Sequence, residues 1–184
     1  MSDTILPHIE RMKKTIAALQ DDFNSIRTGR ASASLFDRIR VECYGNPTPL
    51  NQVATISIPE ARLVVIQPWD KGLIGDIEKA ILKSELSLNP SNDGKVIRIS
   101  IPPLTEERRK ELVKQAKAQA EQSRVAIRNI RRDGNDDLKK MEKTNQLTED
   151  GLKTAEDELQ KTTDNFIQEI NQLLDEKEKE IMVG

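Results

Sequence analysis

The chain has little of what most catalytic sites are built from. Among its 184 residues Cys43 is the only cysteine and His8 the only histidine. A lone cysteine forms no intrachain disulfide and assembles no cysteine-based zinc site, and such usage suits a reducing compartment. Aromatics make up 3% of the chain, too few for the stacking platform that grips single-stranded nucleic acid. No apolar run approaches the roughly 20 residues that a membrane-spanning helix needs. The opening MSDTILPHIE lacks the apolar core and small-residue end of a signal peptide. A soluble, cytoplasmic protein with no membrane partner is expected. Neither GxxxxGK[ST] nor GxGxxG occurs, which removes two common glycine-rich phosphate loops. His8, near a predicted helix start, and Cys43, on the apolar face of a predicted strand, read as structural residues. Carboxylates are plentiful, but most fall on exposed helix faces with lysines nearby. No catalytic residue, cofactor or metal is singled out, so the chain is read as a non-enzyme.

Proline is scarce in a more informative way. Seven of the eight prolines lie between Pro47 and Pro103, the other is Pro7, and none follows Pro103. A proline inside a helix costs about 3 kcal/mol. Its placement therefore marks where helices can run: a helix, a broken middle, then helix to the end.

In the first segment Ile5, Ile9, Met12, Ile16, Leu19, Phe23 and Ile26 recur at alternating steps of four and three, a heptad stripe that Gly29 is expected to break. In the middle, Ile39, Val41 and Cys43 alternate with charged residues as in a half-buried strand. YGNPTP reads as a turn or loop, LVVI (Leu63 to Ile66) as a covered strand, Leu73 to Leu86 as a helix and LNPSNDG as turn-rich. Val96 to Ile101 closes the region as a last strand. From Thr105, a predicted N-cap, the helical period returns through Leu112, Ala116, Ala120, Ile127, Ile130, Gly134 and Leu138. Thr148 is predicted to cap a last helix striped by Leu152, Ala155, Leu159, Thr163, Phe166, Ile170 and Ile181. At ~1.5 Å per residue the first helix would span about 40 Å and the other two roughly 50–60 Å each.

No one of these stripes can be buried alone, but three can face one another. The expected fold is therefore α+β: an antiparallel three-helix bundle (1–29 and 104–184) carrying an inserted small β/α/β domain (30–103). The chain crosses between the two near Thr28–Ser32 and Pro102–Thr105. Gly29 and the paired prolines are compatible with a hinge of restricted directions and equally with simple helix ends.

The informative charge lies on the second long helix. From Glu106 to Arg132 there are nine basic and four acidic residues, although the whole chain carries a net charge of only −2. With Arg124 set at zero and a step of ~100° per residue, Lys110, Lys117, Arg128 and Arg131 fall within about 40° of it, and Lys114 and Arg132 at about 80°. The apolar stripe lies on the other side. A basic helix face is usually a solvated one, paired with nearby acids. Here the residues toward the tip are all arginine, which clamps phosphate bidentately, and acids at the next turns are sparse apart from Asp133 and Asp136. That favours contact with structured RNA through its backbone.

IRTGRAS (Ile26 to Ser32), YGNPTPL (Tyr44 to Leu50), LNPSNDG (Leu88 to Gly94), IPPLTEERRKEL (Ile101 to Leu112) and VAIRNIRRDGND (Val125 to Asp136) together resemble the bacterial ribosome recycling factor family. The likeness runs in order along essentially the whole chain. It implies an L-shaped molecule of bundle plus insert that binds the large ribosomal subunit and its RNA after termination. With elongation factor G, which hydrolyses the GTP, it would split the ribosome into subunits. A monomer with no targeting extension is implied. Carried over by motif, Arg128, Arg131 and Arg132 would contact ribosomal RNA, Arg109 and Arg30 would extend that surface, and Arg27 and Arg124 would adjoin it. Gly29, Arg30, Pro102, Pro103 and Thr105 match the family's hinge segments. Gly134 departs from the pattern and costs about 1 kcal/mol against alanine; the sequence leaves open whether it bends the helix. The competing readings are an RNA-binding helical adaptor, an RNA chaperone acting without the ribosome and, more remotely, a carboxylate-dependent hydrolase.

Overall fold

The computed structural model of the chain describes residues 3–183. Its elements run in the order α1 (Leu6–Asn24), β1 (Arg40–Cys43), β2 (Asn46–Pro49), β3 (Ala54–Glu60), β4 (Leu63–Pro68), α2 (Ile74–Lys83), β5 (Pro90–Asn92), β6 (Ile97–Ser100), α3 (Glu106–Lys143) and α4 (Glu149–Val183). This is the α+β composition that the proline map implied. Two compact units result: the chain up to Arg27 with Glu106–Val183, and Thr28–Thr105. Among the described residues no helix is long and apolar enough to cross a membrane.

The first unit is a bundle of α1, α3 and α4. Its core takes Ile9, Met12, Ile16, Leu19 and Phe23 from α1, Leu112, Ala116, Ala120, Ile127, Ile130 and Leu138 from α3, and Ala155, Leu159, Ile170, Leu174 and Ile181 from α4. Each large apolar side chain buried this way contributes about 1.5–3 kcal/mol. His8 Nε2 lies 3.2 Å from Asp137 Oδ2 and Arg11 lies 3.0 Å from Asp133. Numbers rising on α1 as they fall on α3 make those helices antiparallel. The α3–α4 turn passes through Asn145 in the left-handed region (φ 61). Thr148 Oγ1 then accepts the Gly151 N–H at 3.0 Å, an N-cap that satisfies one of the free donors at the start of α4.

One expectation for the bundle is corrected: α1 stops at Asn24, short of Gly29, and its 19 residues span about 28 Å rather than 40 Å. Ser25 ends it: its N–H reaches Asp21 O at 3.1 Å and its hydroxyl reaches Asp22 O at 2.7 Å. Ile26 is still buried beyond the helix, which is why the stripe read on past the true end. Helix α3 runs uninterrupted through Gly134. A Cβ at Gly134 would lie 2.7 Å from Leu159 Cδ2 of α4 and 3.2 Å from His8 Cγ of α1. The glycine admits close approach of three helices.

In the second unit, β3, β4, β6 and β5 form an antiparallel sheet in that spatial order. Leu63–Ile66 alternates rather than being covered throughout: Val64 and Ile66 are fully buried, while Leu63 and Val65 are only half so. Phe36, Val41, Leu50, Ile77, Ile81, Ile97 and Ile99 join them in one core.

Two segments read as turns contain strands. In YGNPTP the turn is Tyr44-Gly45, both at positive φ (51 and 85), and Asn46–Pro49 pairs with β1. Cys43 pairs with Asn46 beside a two-residue turn, a hydrogen-bonded position in such a hairpin. Alternation then puts Pro47 and Pro49 at non-bonded positions, where a missing N–H costs the ladder nothing. The Leu50 N–H bond to Ile39 O at 3.3 Å keeps that phase. In LNPSNDG, Pro90–Asn92 pairs with β6 and only Asp93-Gly94 turns. Asp93 Oδ1 accepts the Lys95 and Val96 N–H groups at 2.9 Å each, and Oδ2 meets Arg98 at 2.9 Å. These bonds hold its carboxyl well below the usual carboxylate range, the Val96 N–H contributing most. Tyr44 hydroxyl donates to Asp70, which raises the phenol and lowers the carboxyl.

Candidate nucleic-acid interface

The basic residues of α3 do not form a free row. Helix α3 packs antiparallel on α4, and three basic residues seven apart on α3 meet polar residues of α4 in turn. Lys117 Nζ lies 3.9 Å from Glu178. Arg124 Nε donates to Asn171 Oδ1 at 2.9 Å. Arg131 donates to Gln160 Oε1 at 3.2 Å. Seven residues advance an α-helix by nearly two turns, so this spacing keeps the side chains on one seam of the α3–α4 contact.

That seam changes how exposed the arc is. The Arg124 side chain is only 18% exposed, and Arg131 is half-buried. Glu121 supplies the acid that looked sparse. It takes Arg124 at 2.8 Å through one oxygen and Arg128 at 3.7 Å through the other. Asp133 is occupied on the α1 side by Arg11. Arg131 has no carboxylate partner among the described residues, and Arg132 is exposed. The tip of the row, Arg128, Arg131 and Arg132, therefore keeps most of its positive charge.

Arg109 stands about 33 Å from Arg131, at ~1.5 Å for each of the residues between. It donates to the Met182 carbonyl at 3.2 Å, which places a cation on the last turn of α4, where the helix dipole favours one. Arg27, just past α1, and Arg30 are both exposed. Because α1 is antiparallel to α3, Arg27 belongs to the Arg109 end of the bundle, away from Arg131 and Arg132.

In the matched hinge segments, Gly29 is buried in the left-handed region (φ 79), Arg30, Pro102 and Pro103 are exposed, and Thr105 directly precedes α3. Just inside them the two chain crossings are held side by side. Ala31 N–H donates to Ala61 O at 2.7 Å, and Ile101 N–H donates to Arg62 O at 2.8 Å. Entry and exit of the insert are thus pinned to consecutive residues of the β3–β4 turn.

Sequence reasoning did not find Gln160, Asn171 or the double role of Glu121. The heptad spacing of Lys117, Arg124 and Arg131 was the available signal, since it differs from the spread of a merely solvated face.

Comparison with known proteins agrees with this architecture. The ribosome recycling factor family model matches residues 19–182. The ribosome-recycling factor of Treponema denticola is 68% identical over 173 residues, covering 94% of each chain. A solution structure of the ribosome recycling factor superposes with a TM-score of 0.73 at 44% identity, covering 99% of this chain and 97% of the other. A structure of the T. thermophilus ribosome recycling factor and the E. coli elongation factor G bound to the E. coli post-termination complex gives a TM-score of 0.60 at 48% identity, covering 97% of each chain.

Proposed function

Because the chain belongs to the ribosome recycling factor family, we propose that it binds the large ribosomal subunit after termination and, with elongation factor G and GTP, splits the ribosome into subunits for reuse. It is a translation factor and not an enzyme. It breaks no bond itself, and the free energy comes from the GTP that elongation factor G hydrolyses. Acting on ribosomes, it works in the bacterial cytoplasm, as a monomer.

The docking element is the α3 face. Arg128, Arg131 and Arg132 contact ribosomal RNA phosphates, with Arg109, Arg124, Arg27 and Arg30 as the flanking set. The observation that carries this reading is Arg131, held on α4 by Gln160 with no carboxylate partner among the described residues and flanked by Arg128 and the exposed Arg132. Guanidinium groups so arranged suit bidentate phosphate contact, and phosphate contacts position a protein on structured RNA without reading its sequence. The 38 residues of α3 make a stiff element of about 57 Å that can carry a displacement.

In this reading the bundle (1–29 and 104–184) anchors and the insert (30–103) is the part that elongation factor G steers. Gly29, Arg30, Pro102, Pro103 and Thr105 form the hinge. Gly29's positive φ supports this, as does the pinning of both crossings to one turn, which confines bending to the few residues outside the pins.

Light scattering of post-termination ribosomes tests the proposal. Scattering should fall only when this protein, elongation factor G and hydrolysable GTP are all present. No fall with a cognate elongation factor would overturn the recycling reading and leave an RNA-binding adaptor.

A further inference from the structure

Of the α3 arginines, Arg131 is held by an amide alone, where a carboxylate would bind it more tightly; Arg124 bonds both an amide and Glu121. We infer that Gln160 of α4 is a positioning residue for the RNA-docking face, fixing Arg131 through a neutral acceptor so that its guanidinium charge stays available to phosphate; Asn171 fixes Arg124, whose charge Glu121 already shares. This rests on the proposed RNA-docking role of α3.

The choice of acceptor is the argument. An amide oxygen and a carboxylate oxygen both fix a guanidinium, but a carboxylate also supplies a unit negative charge. That charge would repel the incoming phosphate and cancel the counterion release that drives binding. Along this seam α4 does use a carboxylate, at Glu178 opposite Lys117, far from the arginine tip. At the two arginines it presents Asn171 and Gln160 instead. Carboxylates are abundant on α4, including Asp157, Glu158, Asp164 and Glu169, so the amides are not explained by a shortage of acids.

Gln160 is itself oriented. Its Nε2 donates to Asp164 Oδ1 at 2.9 Å. An amide whose nitrogen is committed to an acid must turn its oxygen the other way, toward Arg131. Asp164 thereby acts through Gln160 without bonding Arg131.

The experiment measures binding of the full-length protein to isolated large ribosomal subunits across a salt series, with thermal unfolding of each variant alongside. Gln160→Glu and Asn171→Asp preserve shape and add one negative charge. Both should keep the melting temperature within a few degrees. Gln160→Glu should bind roughly tenfold more weakly near 0.1 M salt and flatten the log–log salt slope by about one. Asn171→Asp should move the same way with smaller amplitude, since Glu121 already shares Arg124. Arg131→Ala is the control for the docking role. If it loses affinity while Gln160→Glu binds as the parent does, the positioning inference is overturned and RNA docking stands. If Arg131→Ala itself binds unchanged, RNA docking through this face is overturned and the inference falls with it.

Discussion

Gly134 and Leu159 touch so closely that a single methyl does not fit between them: a Cβ on Gly134 would stand 2.7 Å from Leu159 Cδ2. Two effects of Gly134→Ala oppose each other. Alanine is favoured over glycine within a helix by about 1 kcal/mol. Overpacking a filled core costs typically 1–3 kcal/mol. Leu159 is completely buried, so its methyl cannot swing into solvent, and the His8 ring closes the other side at 3.2 Å. Overpacking should win by about 1 kcal/mol. Urea unfolding should show a lower midpoint with an unchanged slope. His8→Ala opens the α1 side, so the double variant should recover part of the loss. A midpoint equal to or above the parent's would mean that helix propensity governs this position.

Arg124 and Arg132 lie on neighbouring parts of the same helix face but should behave oppositely. Arg124 is hydrogen-bonded to Asn171 and Glu121 with little exposure. Its replacement by alanine removes two hydrogen bonds and the packing of a largely covered side chain. The cost should be about 0.5–1.5 kcal/mol in stability, since the exposed Asn171 and Glu121 can turn to water. Arg132 is exposed, and surface substitutions usually stay within ±0.5 kcal/mol, roughly the error of the measurement. Arg132→Ala should therefore unfold like the parent yet bind the large subunit more weakly, with the salt slope reduced by about one. Equal effects of the two substitutions on stability would refute the distinction drawn between a clamped and a free arginine.

Acid should weaken the insert through Asp93. Its carboxyl titrates below the usual carboxylate range because of the Val96 and Lys95 N–H groups and Arg98. A depressed folded value means that the stabilisation is present above the unfolded value, about 3.9, and is lost as the pH falls below it toward the folded value. Asp93→Asn removes the titration. The variant should melt lower than the parent at neutral pH, and the gap should narrow as the pH falls through the acid range. A constant gap from neutral pH to acid would show that the carboxylate's charge contributes nothing.

How far the sequence revealed this molecule depends on the range of the interaction concerned. Helix periods and the proline map are local properties, and they located α2, α3, α4 and the insert. The strand at Arg40–Cys43 and the turn after it were read, but β2 was missed because Pro47 and Pro49 look like breakers until their register is known. The end of α1 was misplaced because Ile26 stays buried after the helix has stopped. The arginine row was legible as a charge pattern on α3. Its anchoring was not, because Gln160 and Asn171 lie 29 and 47 residues away from their partners, and only tertiary packing joins them.

The proposed hinge makes the most demanding prediction. Gly29 sits at φ 79, where an L-residue with a side chain costs roughly 1–2 kcal/mol. Gly29→Ala should therefore bias the chain away from the conformation seen here. Arg128, Arg131 and Arg132 lie on α3, remote from residue 29 in sequence and on a different segment. Large-subunit affinity should then remain near the parent's, while the rate of ribosome splitting with elongation factor G and GTP falls. Hinge residues absorb a backbone change far from the contact surface. Stopped-flow scattering and equilibrium binding, run on the same preparation, separate the two quantities. If splitting proceeds at the parent's rate although unfolding confirms that the alanine is strained, the conformation at Gly29 is no part of the working cycle. The residue would then simply turn the chain into the insert. If affinity falls in step with rate, Gly29 instead shapes the docking surface, and the hinge would have to be sought at Pro102 and Pro103.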